Sequence, residues 1–434
     1  MKARNLAIFI SLVCGSTAYS FAQVNCLVSN KLVCEVPTTS TTVAAAAIGA
    51  QNAQSNATIQ SLSAAVNSSI GTQLTQLPVP SASVGTVSLQ ASGNPFGVPF
   101  DNMGPILTDR PDTVGKHRLF VGFSYQHFNF NAINGINLDA LPVGYSISQP
   151  SQADPTDTQT IFGSEVGDVT FYLDQYVGVL TYGLTRTTDV TVVVPANNVT
   201  LNVTTSNFQT YLYDSKSGQY SNESQPNKSI PTSGSASGIG DVTVRVKQML
   251  MGQEGRRPAV SVDGDIRFPS GDALNYLGSG AWGFNLSGLF EYRWKVSPHA
   301  KIGYQWNSDS QLVNIFQAPN AQLPGGVQYA AGADYRVFRQ LTLAADVLGS
   351  QFVNSKVLQP EALTLAPAPP TGIAPTSLPS VVAQTNTYTT ANFSVGAKYH
   401  PTRHFLFYGN VLIPINNVGL RSDPVPLAGI AFIP

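Results

Sequence analysis

Residues Ser237 to Asp272, SGIGDVTVRVKQMLMGQEGRRPAVSVDGDIRFPSGD, constrain the fold more than any other stretch. Val242, Val244 and Val246 alternate with Thr243, Arg245 and Lys247. After a polar turn, Val260, Val262, Gly264, Ile266 and Phe268 alternate with Ser261, Asp263, Asp265 and Arg267. A period of two marks a β-strand with unlike faces. Here one face carries full charges and the other is apolar from end to end. A soluble antiparallel sheet buries its apolar face against a core. A membrane barrel turns that face to lipid and its polar face to a wet lumen.

The rest of the chain favours the barrel. Charged residues make up 11% of the 434, well under the share of about a quarter usual in soluble proteins. After the N-terminus no apolar run is long enough for a spanning helix. A net charge of −1 and the absence of a basic patch give no footprint for nucleic acid.

Lys2 and Arg4, the apolar run Leu6 to Cys14 and the small-x-small site Ser20-Phe21-Ala22 form a secretory signal, residues 1–22. Cleavage leaves two cysteines, Cys26 and Cys34. In an oxidising periplasm this pair, closing a short loop, is expected to form a disulfide. Residues 23–103 are a low-charge periplasmic or plug segment. Within it Ile59, Leu62, Val66, Ile70, Leu74 and Leu77 fall at helical spacing and end at Pro78. The Ser, Thr and Asn content lowers helix propensity, so a marginal linker helix is preferred to a lumenal plug.

From 104 to 434 the pattern predicts an all-β, twelve-stranded antiparallel up-and-down transmembrane β-barrel. Its strands fall near 118–130, 166–182, 189–207, 238–251, 258–269, 281–294, 299–308, 326–337, 341–353, 387–399, 404–415 and 425–433. Short links (183–188, 252–257, 295–298, 338–340, 400–403) alternate with longer ones (131–165, 208–237, 270–280, 309–325, 354–386, 416–424). Outer-membrane barrels sort periplasmic turns and external loops in this way. The Pro-rich stretch at 354–386 is read as loop. Trp282, Trp294 and Trp306 share the apolar phase at strand ends. The twelve steps between the first two climb about 30 Å at roughly 3.3 Å each and a tilt of about 40°, matching membrane-interface girdles.

The inward phase gathers Arg245, Lys247, Asp263, Asp265, Arg267, Glu291, Arg293, Lys301, Asp334, Arg336, Asp346 and Lys398, with Asp174 expected to join them. A turn centred near Glu254 sets Arg245 opposite Asp263 and Asp241 opposite Arg267. A shift of one residue instead pairs Lys247 with Asp263 and Arg245 with Asp265. Turns near Ser297 and Arg339 allow Glu291 beside Lys301 and Arg336 beside Asp346. These charges are read first as ion-paired rungs of a wet interior and second as a solute-filtering constriction. No catalytic or metal constellation and no cofactor motif is present. His127 would need a serine on the neighbouring strand to form a lipase site, and none can be placed.

Gly238-Ile239-Gly240-Asp241, FPSGD at 268–272 and Leu277-Gly278-Ser279-Gly280, with TDRPDTVGK at 108–116 and NVLIPINNVGLRSD at 410–423, resemble the outer-membrane transporter-like barrels of the putative meta-pathway of phenol degradation family. The resemblance covers roughly 104–434. It implies a twelve-stranded barrel that takes up small, aromatic compounds among them. Such barrels usually end in an aromatic residue, whereas this chain ends Phe432-Ile433-Pro434. The expected function is an outer-membrane channel for passive passage of small solutes. The alternative is a structural or adhesion barrel with a filled lumen, acting through its long external loops. The expected partners are outer-membrane lipid, the barrel assembly machinery and an unspecified small solute.

Overall fold

The computed structural model describes residues 26, 29–35, 57–81, 103–150, 156–252, 258–313, 321–338, 340–402 and 404–432. The expected signal sequence and the turn centres Glu254 and Arg339 lie outside these residues. The sequence periodicity resolves into a helix α1 (Ala57–Leu74) and the strands β1 (Leu119–Ile133), β2 (Leu141–Pro150), β3 (Thr158–Gly183), β4 (Thr188–Asp214), β5 (Gln225–Ile239), β6 (Thr243–Met251), β7 (Ala259–Arg267) and β8 (Gly283–Glu291). They continue with β9 (Val296–Asn307), β10 (Gly326–Phe338), β11 (Leu341–Thr364), β12 (Ser377–Tyr399), β13 (Phe405–Pro414), β14 (Leu420–Ser422) and β15 (Val425–Phe432).

Every neighbouring pair is antiparallel. The ring runs β1, β3, β4, the broken stave β5/β6, β7 to β13 and β15, and closes where Val121 pairs with Phe432 and Gln126 with Leu427. This is a closed barrel of twelve staves, and closure leaves no free sheet edge at membrane depth. The period-two pattern becomes an inside and an outside. On β1, Phe120, Ser124, Gln126 and Phe128 are buried while Leu119, Val121 and Phe123 are exposed. The outer face carries a belt of Val, Leu, Ile, Phe and Tyr, with Trp282, Trp294 and Trp306 also exposed on it.

Several long links differ from expectation. β3, β4 and β5 extend upward into the segments read as loops, and β2 pairs with β3 from Leu141↔Gly167 to Pro150↔Thr158. Only the centre of the Pro-rich stretch, 365–376 with Pro367, Pro369, Pro370 and Pro375, is loop; on either side β11 and β12 pair as far as Thr364↔Ser377, with Pro360 opposite Val381 and Pro379 opposite Ala362. The reason is an edge effect. The ladder between β10 and β11 stops at Gly326↔Phe352, so above it a proline's missing N–H falls on an unpaired side and costs no ladder bond.

α1 is the larger departure. It is not a linker helix but lies inside the barrel at the long-loop end, against β11, β12, β2 and β14. Ile59, Leu62, Ala65, Val66 and Ile70 are buried, and so are Ser63, Asn67, Ser68, Ser69 and Thr72. The apolar stripe packs with inward Phe128, Phe171, Leu201 and Leu420. Small side chains make this fit. Ser63 and Thr72 donate back to the carbonyls of Ile59 and Ser68 at 2.8 and 2.7 Å, which satisfies their hydroxyls without solvent. Propensity in water is a weak guide when tertiary packing supplies the stability.

Cys26 and Cys34 are joined by a disulfide. Their loop docks at the same end of the barrel. Leu32 is buried, and Lys31 Nζ lies 2.8 Å from Asp272 on the loop after β7. Burial raises the Asp272 pKa, but the hydrogen bond and charge of Lys31 outweigh it, so the carboxyl titrates below its usual 3.8. A depressed folded value means this tie is fully present above 3.8 and lost only as pH falls through the lower folded value.

Two outcomes follow for the N-terminal segment. Lys31→Gln should raise the Asp272 titration midpoint, read by carboxyl NMR, toward 3.8; an unchanged midpoint would show that the docked contact is absent. A Ser69→Cys probe should resist an impermeant maleimide. Adding Ala65→Asp, an unpaired buried charge costing about 3–5 kcal/mol, should speed labelling by at least about a hundredfold. Equal labelling of both proteins would mean that α1 does not sit inside the barrel.

Candidate functional site: a lumen closed by ion pairs

The inward charges are set by strand phase and register. In the β6–β7 hairpin Arg245 faces Asp265 and Lys247 faces Asp263, the second of the two registers the sequence allows. Arg245 grips Asp265 with Nε at 2.6 Å and Nη2 at 2.9 Å, and Lys301 Nζ reaches Asp263 at 3.0 Å. Asp241 and Arg267 are not opposite one another in the ladder, yet Arg267 Nε lies 3.7 Å from Asp241.

Two other expected pairs do not form. Glu291 is opposite His299, not Lys301, and Asp346 is opposite Gly332, not Arg336, which faces Thr342. Glu291 opposite Lys301 needs a turn centred on 296 and Arg336 opposite Asp346 one on 341, whereas the ladders centre on 295 and 339; a small step in register moves a side chain to another neighbour. Asp174 also departs from expectation. Leu173 and Gln175 face inward, so Asp174 faces outward, accepting hydrogen bonds from Tyr125 Oη at 2.7 Å and lying 2.8 Å from His127 Nδ1. Among the described residues no serine hydroxyl bonds His127.

The unmatched wall charges are met by the segment before β1. Gly104 (φ 76°) turns the chain where a Cβ would come within 2.2 Å of Arg110 Cδ, so only glycine lets the arginine pass. Asp109 then accepts hydrogen bonds from Arg245 Nη1 at 2.8 Å and Ser81 Oγ at 2.9 Å, with Lys247 Nζ at 3.4 Å. Arg110 forks onto Glu291 at 3.1 and 2.6 Å. Asp112 pairs with Arg293 and Arg110, and Val114 N donates to Asp189 at 2.8 Å. Lys398 donates to the Met103 carbonyl at 3.2 Å. Asp334 and Asp346 bracket buried His299 at 3.2 and 2.5 Å.

Asp109, Arg110, Asp112, His299 and Arg421 were not singled out from sequence. The available signal was TDRPD itself, a run of alternating charge in a nearly uncharged segment, complementary in sign to the wall. Between this charged closure and α1 lies a cavity of about 270 Å³. Its lining includes Gln76, Pro78, Asp109, Arg245, Arg267 and Arg421.

Residues 150–360 match the model of the family described as Putative MetA-pathway of phenol degradation. The GIGD, FPSGD and LGSG motifs fall inside that range and bear out the resemblance; TDRPDTVGK and the 410–423 motif lie outside it. No curated protein matches the chain. Among solved structures, an outer membrane channel from Pseudomonas putida F1 is similar, at 13% identity and a TM-score of 0.43, over 74% of this chain and 97% of that one. A FadL homologue from Pseudomonas aeruginosa is similar at 9% identity and a TM-score of 0.26, over 73% and 88%. The translocator domain of autotransporter NalP from Neisseria meningitidis is similar at 8% identity and a TM-score of 0.27, over 74% and 90%.

Breaking one buried ion pair leaves its partner charge stranded, at a cost of about 3–5 kcal/mol. Arg110→Glu should therefore expose the 104–116 segment to limited proteolysis, and Arg110→Glu with Glu291→Arg should restore most of the protection. A double variant as sensitive as the single one would show that the two side chains do not act as a pair.

Proposed function

We propose that the chain is an outer-membrane channel for passive passage of small solutes, hydrophobic or aromatic ones among them, and that its own N-terminal segment closes it. The apolar outer belt, with tryptophans at strand ends, suits contact with outer-membrane lipid, and a chain of this kind relies on the barrel assembly machinery for insertion. The twelve inward charges named from the sequence serve chiefly as lumen wall.

The observation that carries the reading is the way the closure is attached. Residues 57–81 and 103–116 touch the wall through side-chain ion pairs, side-chain hydrogen bonds and apolar packing. None of their backbone belongs to the sheet ladder. The segment can therefore leave without breaking the hydrogen bonds that hold the barrel closed. A wall built only for rigidity would need no detachable filling.

A second reading has its own support. The filled lumen and the tall hairpins of β3, β4, β5, β11 and β12 also suit a structural or adhesion barrel that works through its external loops. Planar-bilayer recording separates the two. The intact protein should be quiet, and deletion of residues 23–116, which removes both parts of the closure, should give a conducting pore. Silence after that deletion would rule out the channel. Loop deletions that abolish cell binding while leaving permeability unchanged would favour adhesion.

A further inference from the structure

The cavity between α1 and the charged closure is not electrically balanced. Arg245, Arg267, Lys301 and Arg421 line it, against Asp109, Asp241 and Asp265. Two of the cations are in close ion pairs. Arg245 holds Asp265 and Asp109 through three hydrogen bonds, and Lys301 holds Asp263. The other two are not.

Arg267 donates once, from Nη2 to Asn307 Oδ1 at 2.7 Å. Its Nε–H is buried and turned toward Asp241 at 3.7 Å, while Nη1 has no hydrogen-bond partner among the described residues. Asp241 stands near it but is otherwise engaged, accepting from Gly271 N, Ser279 N and Ser279 Oγ at 3.1, 2.7 and 2.6 Å. Arg421, on the far side of the ring, bonds only neutral oxygens: the Asn416 and Ala391 carbonyls at 2.7 Å and the side chains of Asn392 and Asn416. Among the described residues no carboxylate lies within ion-pair reach of it.

A guanidinium whose Nη1 donates to nothing at the wall of a cavity can take an anion there, because an unsatisfied charged donor costs more than a neutral one. The position of Arg267 is built. A Cβ on Gly283 would lie 2.7 Å from its Cζ, so the glycine lets the guanidinium lie flat against the neighbouring strand. The remaining lining sets the body of the ligand. Pro78, Leu107, Val177, Val193, Leu348 and Leu412 supply apolar surface, which does not suit a fully hydrated inorganic ion.

We propose that this cavity is a binding site for a small organic carboxylate, its anionic head on the free edge of Arg267 and its apolar body between the 75–81 segment and the wall. Arginine presents planar paired donors that match a carboxylate, and pockets that are mostly apolar with a few fixed polar groups are the usual form of small-molecule sites. Arg421 extends the positive field across the cavity. The proposal deepens the channel reading by naming a solute class, and rests on that reading for its physiological meaning.

The test is equilibrium binding to the full chain in detergent, with benzoate as probe, by calorimetry or ligand-observed NMR. Benzoate should bind saturably, and neutral benzyl alcohol at least tenfold more weakly. Arg267→Gln should weaken benzoate at least tenfold, and Arg267→Lys, which keeps the charge without the fork, should restore part of the loss. Heat-modifiable gel mobility reports that each barrel is folded. Should Arg267→Gln not fold, Arg421→Gln should weaken benzoate severalfold and serves in its place. Equal affinity for benzoate and benzyl alcohol, or affinity unchanged in a folded Arg267→Gln or Arg421→Gln, overturns the site. Inorganic phosphate binding as tightly as benzoate overturns the assignment to an organic acid. Binding in detergent needs no passage, so a silent deletion barrel with benzoate binding intact would count against the channel alone. A conducting barrel that ignores benzoate would count against this site alone.

Discussion

The filled lumen of this barrel leaves little water for the charges it encloses, and the arrangement of this chain follows from that constraint. Arg245, Lys247, Asp263, Asp265, Glu291, Arg293 and Lys301 all project into a space where an unpaired ion costs several kcal/mol, about 3–5 by removal of a partner. The wall neutralises itself only in part. Arg245 finds Asp265 and Lys301 finds Asp263 across adjacent strands, but Glu291 and Arg293 have as their ordered partners Arg110 and Asp112 from the segment before β1. The sheet is thus completed electrostatically by residues that are not in it, and the path of the 103–116 segment is set by where the wall left charges unmet.

The two ends of the lumen are filled by different physics. Toward the long loops, α1 meets an apolar lining that includes Phe128, Phe171, Leu201 and Leu312. That contact is non-directional and scales with buried area. Toward the short turns the contacts are charge-assisted hydrogen bonds with fixed geometry, such as the fork of Arg110 on Glu291. An apolar filling tolerates small shifts of the helix. A forked ion pair does not, since a displacement of an ångström or two loses the bond. The charged end therefore fixes the register of the N-terminal segment, while the apolar end supplies bulk occlusion.

Much of this fold was legible in the sequence because a two-faced strand writes its phase in every second residue. The twelve staves, their order and the inward side of Arg245, Asp263, Glu291 or Lys398 follow from alternation alone. What did not follow depends on single-residue offsets or on context. The Arg245–Asp265 register could be narrowed to two options but not chosen, because the turn at 252–257 has no strict centre in sequence. Asp174 breaks the rule that charge faces the lumen, since Tyr125 and His127 satisfy it on the outer face. α1 was legible as an apolar stripe, but its location was not: Ser, Thr and Asn argue for solvent in an ordinary helix, and here are small enough for a narrow enclosure, with Ser63 and Thr72 bonded back to the helix. Pro360 argued against a strand until the edge beside it was known to be empty.

Separating the closure from the sheet has a mechanical consequence. Hydrogen bonds between neighbouring staves run all the way round to β1 and β15, so the ladder closes without any bond from α1. The stability of the closure rests instead on a handful of ion pairs and one apolar interface, each of the size that a binding event can offset. A solute that satisfied Arg267 would not compete with the ladder at all. It would compete only with the contacts that hold the 75–81 segment beside the same cavity, where Gln76 bonds Gln305 and Ser350 from opposite sides. Any coupling between solute and closure therefore passes through that short stretch, which Leu77 ties to the apolar end and Ser81, through Asp109, to the charged end.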